Sequence, residues 1–300
     1  MLLGVSLIDV FEGRFYNINL NILYMNHCVI MTVYRDLSMI NKFVEHIPSD
    51  WGIYIHIDMK SNIDVSQIHR GNVYKMKNIY WGGREHLEAF LYLLKQTMLS
   101  DKKYDYYHLV TGSDFFVVSP NRFDEILGKS GNSYIEIFDI PKRGWWNYKI
   151  LKYRTLASFC DIRKPFNKIM NWTYCFFQLI LLRTRNLPSY QIYGGSVYCS
   201  LTFEAVNEVL TSEIAKDLYQ RLRNSICGEE IFFQTVLMNS YLRDKLCNDS
   251  LRYIDWSVQS PPKTLAEDDF PIIKKGDFLF CRKLDSVKSS ALIHCLEHSW

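Results

Sequence analysis

Residues 28–58, CVIMTVYRDLSMINKFVEHIPSDWGIYIHID, decide the fold class. Cys28 to Val33 reads as a strand, Leu37 to His46 carries apolar residues at helical spacing, and Trp51 to Ile57 returns to a strand that ends on Asp58. Strand, helix and strand in that order predict an α/β domain with a mostly parallel sheet and crossover helices. Ligands of such sheets collect beyond the carboxyl ends of the strands, which is where Asp58 falls.

Toward the N-terminus, residues 1–24 begin with a short apolar run interrupted by Asp9 and Glu12. This run lacks the basic start, sustained apolar core and cleavage site of a signal peptide, and it is too short and too charged to span a bilayer. The leader 1–24 is therefore expected outside the fold, as a mis-called start, with one large domain over 25–300.

Toward the C-terminus, short strands are expected at Val73 to Met76 and Asn78 to Trp81. An amphipathic helix over Glu85 to Leu99 presents Leu87, Phe90, Leu91 and Leu94 on one face. Tyr104 to Val110 is a strand running into Thr111-Gly112-Ser113-Asp114, and Ser119-Pro120 opens a helix to Leu127. The strand Ser133 to Phe138 carries Glu136, and a loop with Trp145-Trp146 follows. Later come a strand at Val197 to Ser200, a helix capped by Thr202, a strand at Leu251 to Trp256 and a helix at Phe270 to Lys275.

Residues 149–189 differ from the rest. Lys149, Lys152, Arg154, Arg163, Lys164, Lys168, Arg183 and Arg185 flank the aromatic and aliphatic stretch Ile169 to Leu182. About 14 residues fall short of a membrane span, which leaves a buried core helix, the preferred reading, or an interfacial helix with a basic rim.

The composition, 48% hydrophobic and 22% charged, is that of a soluble globular chain, and a net charge of +3 argues against wholesale nucleic-acid binding while leaving room for a basic patch. The aromatic content of 15% serves the core and can also stack on sugars or bases. Eight scattered cysteines without a CxxC pair indicate neither a zinc knuckle nor a disulfide framework, and read as reduced, mostly buried thiols of an intracellular protein. His56 and His108, on buried strand patterns, read as satisfied core residues.

The stretch Gly228-Glu229-Glu230-Ile231-Phe232-Phe233 places two acids in the first turn of a helix with a buried body. Neighbours on a helix point about 100° apart, so one acid solvates or caps while the other looks inward, where burial would raise its pKa toward that of a general base. GxxxxGK[ST], GxGxxG and GxSxG motifs are absent, and so is the DxD pair that would hold Mg²⁺ on a nucleotide diphosphate. If phosphates bind, cations must replace the metal, and Lys263, Arg282 and Lys283 are the candidates.

The ordered segments IHIDMKS (55–61), IYWGGREHLEA (79–89), YDYYHLVTGSDFFV (104–117), SYIE (133–136), YGGSVYCSL (193–201), GEEIFFQTVLMNS (228–240), LRYIDW (251–256), PPKTL (261–265) and FLFCRKLD (278–285) resemble the core-2/I-branching glycosyltransferases. That family includes β-1,6-N-acetylglucosaminyltransferases and the peptide O-xylosyltransferases. The resemblance covers about Met25 to Asp285, in the manner of a compact bacterial-type member.

It implies a GT-A-like fold and inverting transfer from a UDP-sugar, carrying N-acetylglucosamine or xylose, without a divalent metal or other cofactor. Glu230 matches the family's general base, and Lys263 and Lys283 match the cations on the leaving diphosphate. Asp58 matches a uridine-binding acid, with Val33 and Trp81 lining the base. Glu136 and Trp256 match acceptor positions, and Trp145 with Trp146 forms an aromatic platform or a packed loop. Asp114 either holds its turn or touches the sugar.

The basic acceptor contacts of the animal enzymes are not reproduced at 144–147, so the acceptor is expected to differ, as a bacterial surface glycan or a lipid-linked precursor. The expected setting is the cytoplasm, with peripheral contact at the inner face of a membrane. A chain that kept the fold but only binds glycans or scaffolds an assembly complex is the competing class.

Overall fold

The computed structural model describes residues 24–128, 130–141, 152–181, 183–258 and 261–300. The opening units form as expected: β1 (His27–Val33), α1 (Leu37–Glu45), β2 (Gly52–Asp58), β3 (Asn72–Lys77), α2 (Glu85–Met98) and β4 (Tyr106–Thr111). Shorter strands follow as β5 (Asp114–Phe116), β6 (Ser133–Tyr134), β7 (Phe138–Asp139), β8 (Tyr193–Gly194), β9 (Ser200–Thr202), β10 (Leu246–Cys247), β11 (Arg252–Ile254) and β12 (Phe280–Arg282). The remaining helices are α3 (Phe123–Leu127), α4 (Pro165–Ile180), α5 (Phe203–Thr211), α6 (Glu213–Arg221), α7 (Glu229–Met238), α8 (Phe270–Ile273) and α9 (Ser290–Glu297).

Among the described residues the main sheet has seven strands in the order β10-β6-β9-β4-β1-β2-β3. β1 pairs in parallel with β2 and β4, and β2 with β3, while β9 runs antiparallel to β4 and β6. The fold is thus α/β with a mostly parallel sheet. Helices cover both faces, α2, α5, α6 and α7 on one and α1, α3, α8 and α9 on the other. β1 serves both cores by its two-residue period: Cys28 and Ile30 face the first, and Val29, Met31 and Val33 the second. On α2, Leu87, Phe90, Leu91 and Leu94 are all buried, each worth roughly 1.5–3 kcal/mol of hydrophobic stabilisation.

From β1 the chain adds β2 and β3 on one side, then crosses over α2 to place β4 on the other. The order reverses between β1 and β4, which opens a crevice at their carboxyl ends. Asp36, just past β1, caps α1 by accepting a hydrogen bond from the Met39 amide at 3.2 Å. Its other oxygen accepts from the Ser286 amide at 2.9 Å and ties the C-terminal segment to this crevice. A three-stranded sheet, β11-β12-β5, does the same, with Arg282 in register with Asp114.

Several expectations are corrected. Residues 78–81 form no strand: the Ile79 carbonyl accepts from Lys60 Nζ at 2.6 Å instead of a neighbouring strand. The strand expected over Ser133 to Phe138 breaks into β6 and β7, because Asn248 Oδ1 takes the Ile137 amide at 2.6 Å. The strand expected at Val197 to Ser200 lies instead at Ser200–Thr202. Only Cys28, Cys199 and Cys281 are fully buried thiols, and the other five cysteines are half-buried.

The preferred buried reading of Ile169 to Leu182 fails. α4 presents Ile169, Trp172, Phe176, Phe177 and Ile180 outward, with Trp172 67% exposed. Its inner strip is polar. Asn171 Oδ1 accepts from the Leu156 amide at 2.9 Å, and the Gln178 side chain bonds the Arg154 amide and carbonyl at 2.9 and 2.8 Å. Hydrogen bonding to a loop backbone, rather than apolar burial, sets the helix's orientation.

His108 is satisfied in the core, with Ser200 Oγ at 2.8 Å and His27 at 3.0 Å. His56 is buried too, but neither of its ring nitrogens has a hydrogen-bond partner among the described residues. Burial pushes its pKa down to about 4, against the opposing pull of Asp58. As pH falls through about 6.5 the unfolded chain takes up this proton while the native chain refuses it, so stability holds above that point and drains away toward pH 4, by roughly 3 kcal/mol. Urea midpoints should drop accordingly between pH 7 and 4.5, and His56→Leu should flatten the slope. An unchanged slope in that variant would assign the loss elsewhere.

Candidate active site

α7 begins at the crevice, its buried body packed against α2, α5 and α6. Glu229, in its first turn, is the buried acid. Its Oε1 lies 3.2 Å from His86 Nδ1, and His86 Nε2 lies 3.2 Å from Thr32 Oγ1 at the end of β1. Glu229, His86 and Thr32 therefore form a chain of polar contacts across three elements at the strand-order reversal. Glu230 is half-buried beside it, and its carbonyl accepts from the Gly195 amide at 2.9 Å.

Gly195 binds this region together. A Cβ there would stand 1.9 Å from the Glu136 carbonyl oxygen, so no other residue fits. Glu136 Oε2 accepts from the Ser196 amide at 2.9 Å, and Gln234 Nε2 donates to the Ser196 carbonyl at 2.8 Å. Glu136 and Glu230 are thus held on the same Gly195-Ser196 turn, although 94 residues separate them in sequence.

Positive charge gathers on the other side. Lys283 is half-buried, and its pKa is held below the ordinary lysine value by burial and then by the charges of Arg35, Arg282 and Arg163. The Arg282 guanidinium is buried 3.6 Å from the Tyr198 ring centre, with Nε 3.5 Å from Asp114 Oδ1. Its Nε and Nη1 make no hydrogen bond among the described residues, and burial lowers its pKa. Arg163 lies 5.3 Å from the centre of the exposed Trp81 ring, with Asp161 as its ion-pair partner at 2.8 Å. Unused Arg282 donors beside the half-buried Lys283 suit an anion.

Asp114 holds its turn by accepting from the Thr111 amide and from Thr111 Oγ1, so its turn-holding role is present, with Arg282 as an added partner. Asp58 ends β2 beside Ile57, which pairs with the buried Val33. Lys60 Nζ reaches both Asp58 oxygens at 3.1 and 2.9 Å and stands over Tyr80. Asp58, Val33 and the segment leading to Trp81 therefore lie together.

Lys263 is placed differently. Its ammonium is 2.7 Å from Asp269 and 3.6 Å from Asp255, which hold its pKa above the usual value. Trp256 is exposed beside that pair, and Trp145 lies outside the described residues. Sequence reasoning missed His86, Arg35 and Tyr198, and treated Arg163 only as part of a basic flank. Arg35 was findable as a cation two residues past a parallel strand, whereas His86 and Tyr198 carry no local signal.

Comparison with known proteins adds a family. A family model described as Core-2/I-Branching enzyme matches residues 28–278. Xylosyltransferase 1 of Canis lupus familiaris is 25% identical over 236 residues, 74% of this chain and 23% of its own length. Xylosyltransferase sqv-6 of Caenorhabditis elegans is 20% identical over 240 residues, 74% of this chain and 27% of its own. The chain thus spans about a quarter of the length of these curated relatives. Among solved structures, apo mouse xyloside xylosyltransferase 1 aligns with a TM-score of 0.38 at 11% identity, over 85% of this chain and 96% of that one.

Proposed function

The chain belongs to the Core-2/I-branching enzyme family, and on that premise we propose that it is an inverting glycosyltransferase moving a sugar from a UDP-sugar to a glycan hydroxyl. The observation that carries this reading is the buried Arg282 guanidinium, next to the half-buried Lys283, with Nε and Nη1 donors left unused among the described residues. The Glu136 and Glu230 turn supplies the other half.

In this mechanism the acceptor oxygen attacks the anomeric carbon from the face opposite UDP. The new C–O bond forms as the bond to the β-phosphate oxygen breaks, the hydroxyl proton passes to Glu230, and the electron pair leaves on the diphosphate. Fixed cations stabilise that developing charge without reorganising. Lys283 and Arg282 lead. Lys263 contributes less because Asp269 and Asp255 share its charge. Asp58, Val33 and Trp81 take the uridine, while Glu136, Trp256, Asp114 and Trp145 serve the sugars. No divalent metal is required, since cationic side chains occupy its role.

The donor sugar is N-acetylglucosamine or xylose, the latter named in the relatives. A glycan, or a lipid-linked glycan made at the cytoplasmic face of a membrane, is the acceptor.

Thermal melts with UDP, UDP-N-acetylglucosamine, UDP-xylose and UDP-glucose, each with EDTA, test the donor site. A ligand at a hundred times its Kd stabilises by about 2.7 kcal/mol, so a melting point several degrees higher is expected with EDTA present. No shift with any of them, or a shift that appears only with Mn²⁺, would overturn the reading.

A further inference from the structure

We propose that α4 is an in-plane membrane helix, docking the protein on a bilayer surface rich in anionic phospholipid. This inference does not depend on the transfer reaction. At 16 residues α4 is about 24 Å long, and among the described residues no helix is long and apolar enough to cross a membrane. Its outward face nevertheless carries Ile169, Trp172, Phe176, Phe177, Leu179 and Ile180, all at least half exposed. Contiguous apolar surface of this extent marks an interaction site.

The polarity of the helix is the reverse of a core helix. Asn171 and Gln178, with Asn167 bonded to the Asp161 carbonyl at 3.0 Å, face the domain, and the aromatics face away. With its hydrogen-bonding side chains committed inward, the helix cannot rotate to bury its rings without stranding those groups.

Charge selects the occupant. Residues 161–203 contain five cations, Arg163, Lys164, Lys168, Arg183 and Arg185, against one carboxylate, Asp161, which pairs with Arg163, in a chain that is otherwise nearly balanced. Arg163, Lys164, Lys168 and Arg183 are exposed at the two ends and along the rim of the apolar face. A second copy of the same face would set these cations against each other. An anionic bilayer satisfies both features, taking rings about 5–10 Å below the headgroups and contributing about 1 kcal/mol per basic residue near the surface. Lys168 stands 5.6 Å from the Trp172 ring centre, the pairing of ring and cation suited to that depth.

A hollow of about 1160 Å³ beside α4 is lined by Trp172, Phe176 and Leu179 together with Trp81 and Arg163. The docked face and the ring beside the cation cluster thus share one cavity.

Flotation of the full chain with phosphatidylcholine vesicles and with vesicles containing 30% phosphatidylglycerol tests this directly. Recovery in the floating fraction is expected only with the anionic vesicles, reduced in 0.5 M salt, and lowered at least tenfold by Phe176→Ser with Phe177→Ser and Ile180→Ser at an unchanged melting point. Brominated acyl chains should quench Trp fluorescence, and Trp172→Phe should remove most of that quenching. Should the triple variant not fold, the Trp172 quenching alone decides. A chain that stays at the bottom with anionic vesicles, a triple variant that floats as before, or a dimer that the triple variant dissolves and vesicles do not disperse would each overturn the proposal.

Discussion

Glu230→Gln is expected to lower kcat roughly 10²–10⁴-fold, the range for removing a positioned general base, while UDP affinity by calorimetry changes less than threefold. The amide keeps the shape and polarity of the half-buried side chain and the backbone bond from Gly195, so what is lost is the ability to accept the proton. Glu229→Gln supplies the contrast. Its carboxylate faces His86 at 3.2 Å and belongs to a buried polar chain that orients α7 against β1. That substitution should lower the melting point more than Glu230→Gln does and leave most of kcat in place. If instead Glu229→Gln abolishes transfer and Glu230→Gln does not, the base has been assigned to the wrong neighbour.

Lys283→Ala should cost about 10²–10³-fold in kcat, as does removing one preorganised donor to a developing anion, and should weaken UDP binding as well. Lys263→Ala should cost at least tenfold less, because Asp269 at 2.7 Å and Asp255 at 3.6 Å already hold that ammonium. Burial and then the surrounding arginine charges hold the Lys283 pKa below the ordinary lysine value of 10.5, which sets the pH dependence of any activity that needs its charge. Such activity falls on the alkaline side earlier than 10.5, and the alkaline limb should vanish in Lys283→Ala. Equal losses in the two lysine variants would remove the distinction drawn from their partners.

The parallel core was legible because its signals are local. β1, α1 and β2 each announce themselves within ten residues, and the buried face of α2 follows from spacing alone. The break at Glu136 was not legible, because it depends on Asn248, more than a hundred residues away. α4 misled for a different reason. Its apolar content says that the helix must be covered but not by what, and the polar strip of Asn171 and Gln178 gains meaning only when the Arg154 and Leu156 backbone groups are seen to need partners.

Within the site, Lys283 stood out as a late basic residue. That the charges of Arg35, just past β1, and of Arg163, before α4, bear on it is a tertiary relation that a one-dimensional reading does not display. Likewise the pairing of Glu136 with Glu230 rests on the missing side chain of Gly195, whose neighbour is a carbonyl 59 residues upstream.

The pairing of Arg282 with Asp114 across β12 and β5 joins positions 168 residues apart. During translation, then, the proposed phosphate contacts at Arg282 and Lys283 are completed last. A nascent chain can lay down β1 to β4 and much of both helical layers while Arg282 is still inside the ribosome. A product stopped short of position 280 would keep β1 to β4 and lose Arg282 and Lys283, the two cations proposed to lead in holding the diphosphate.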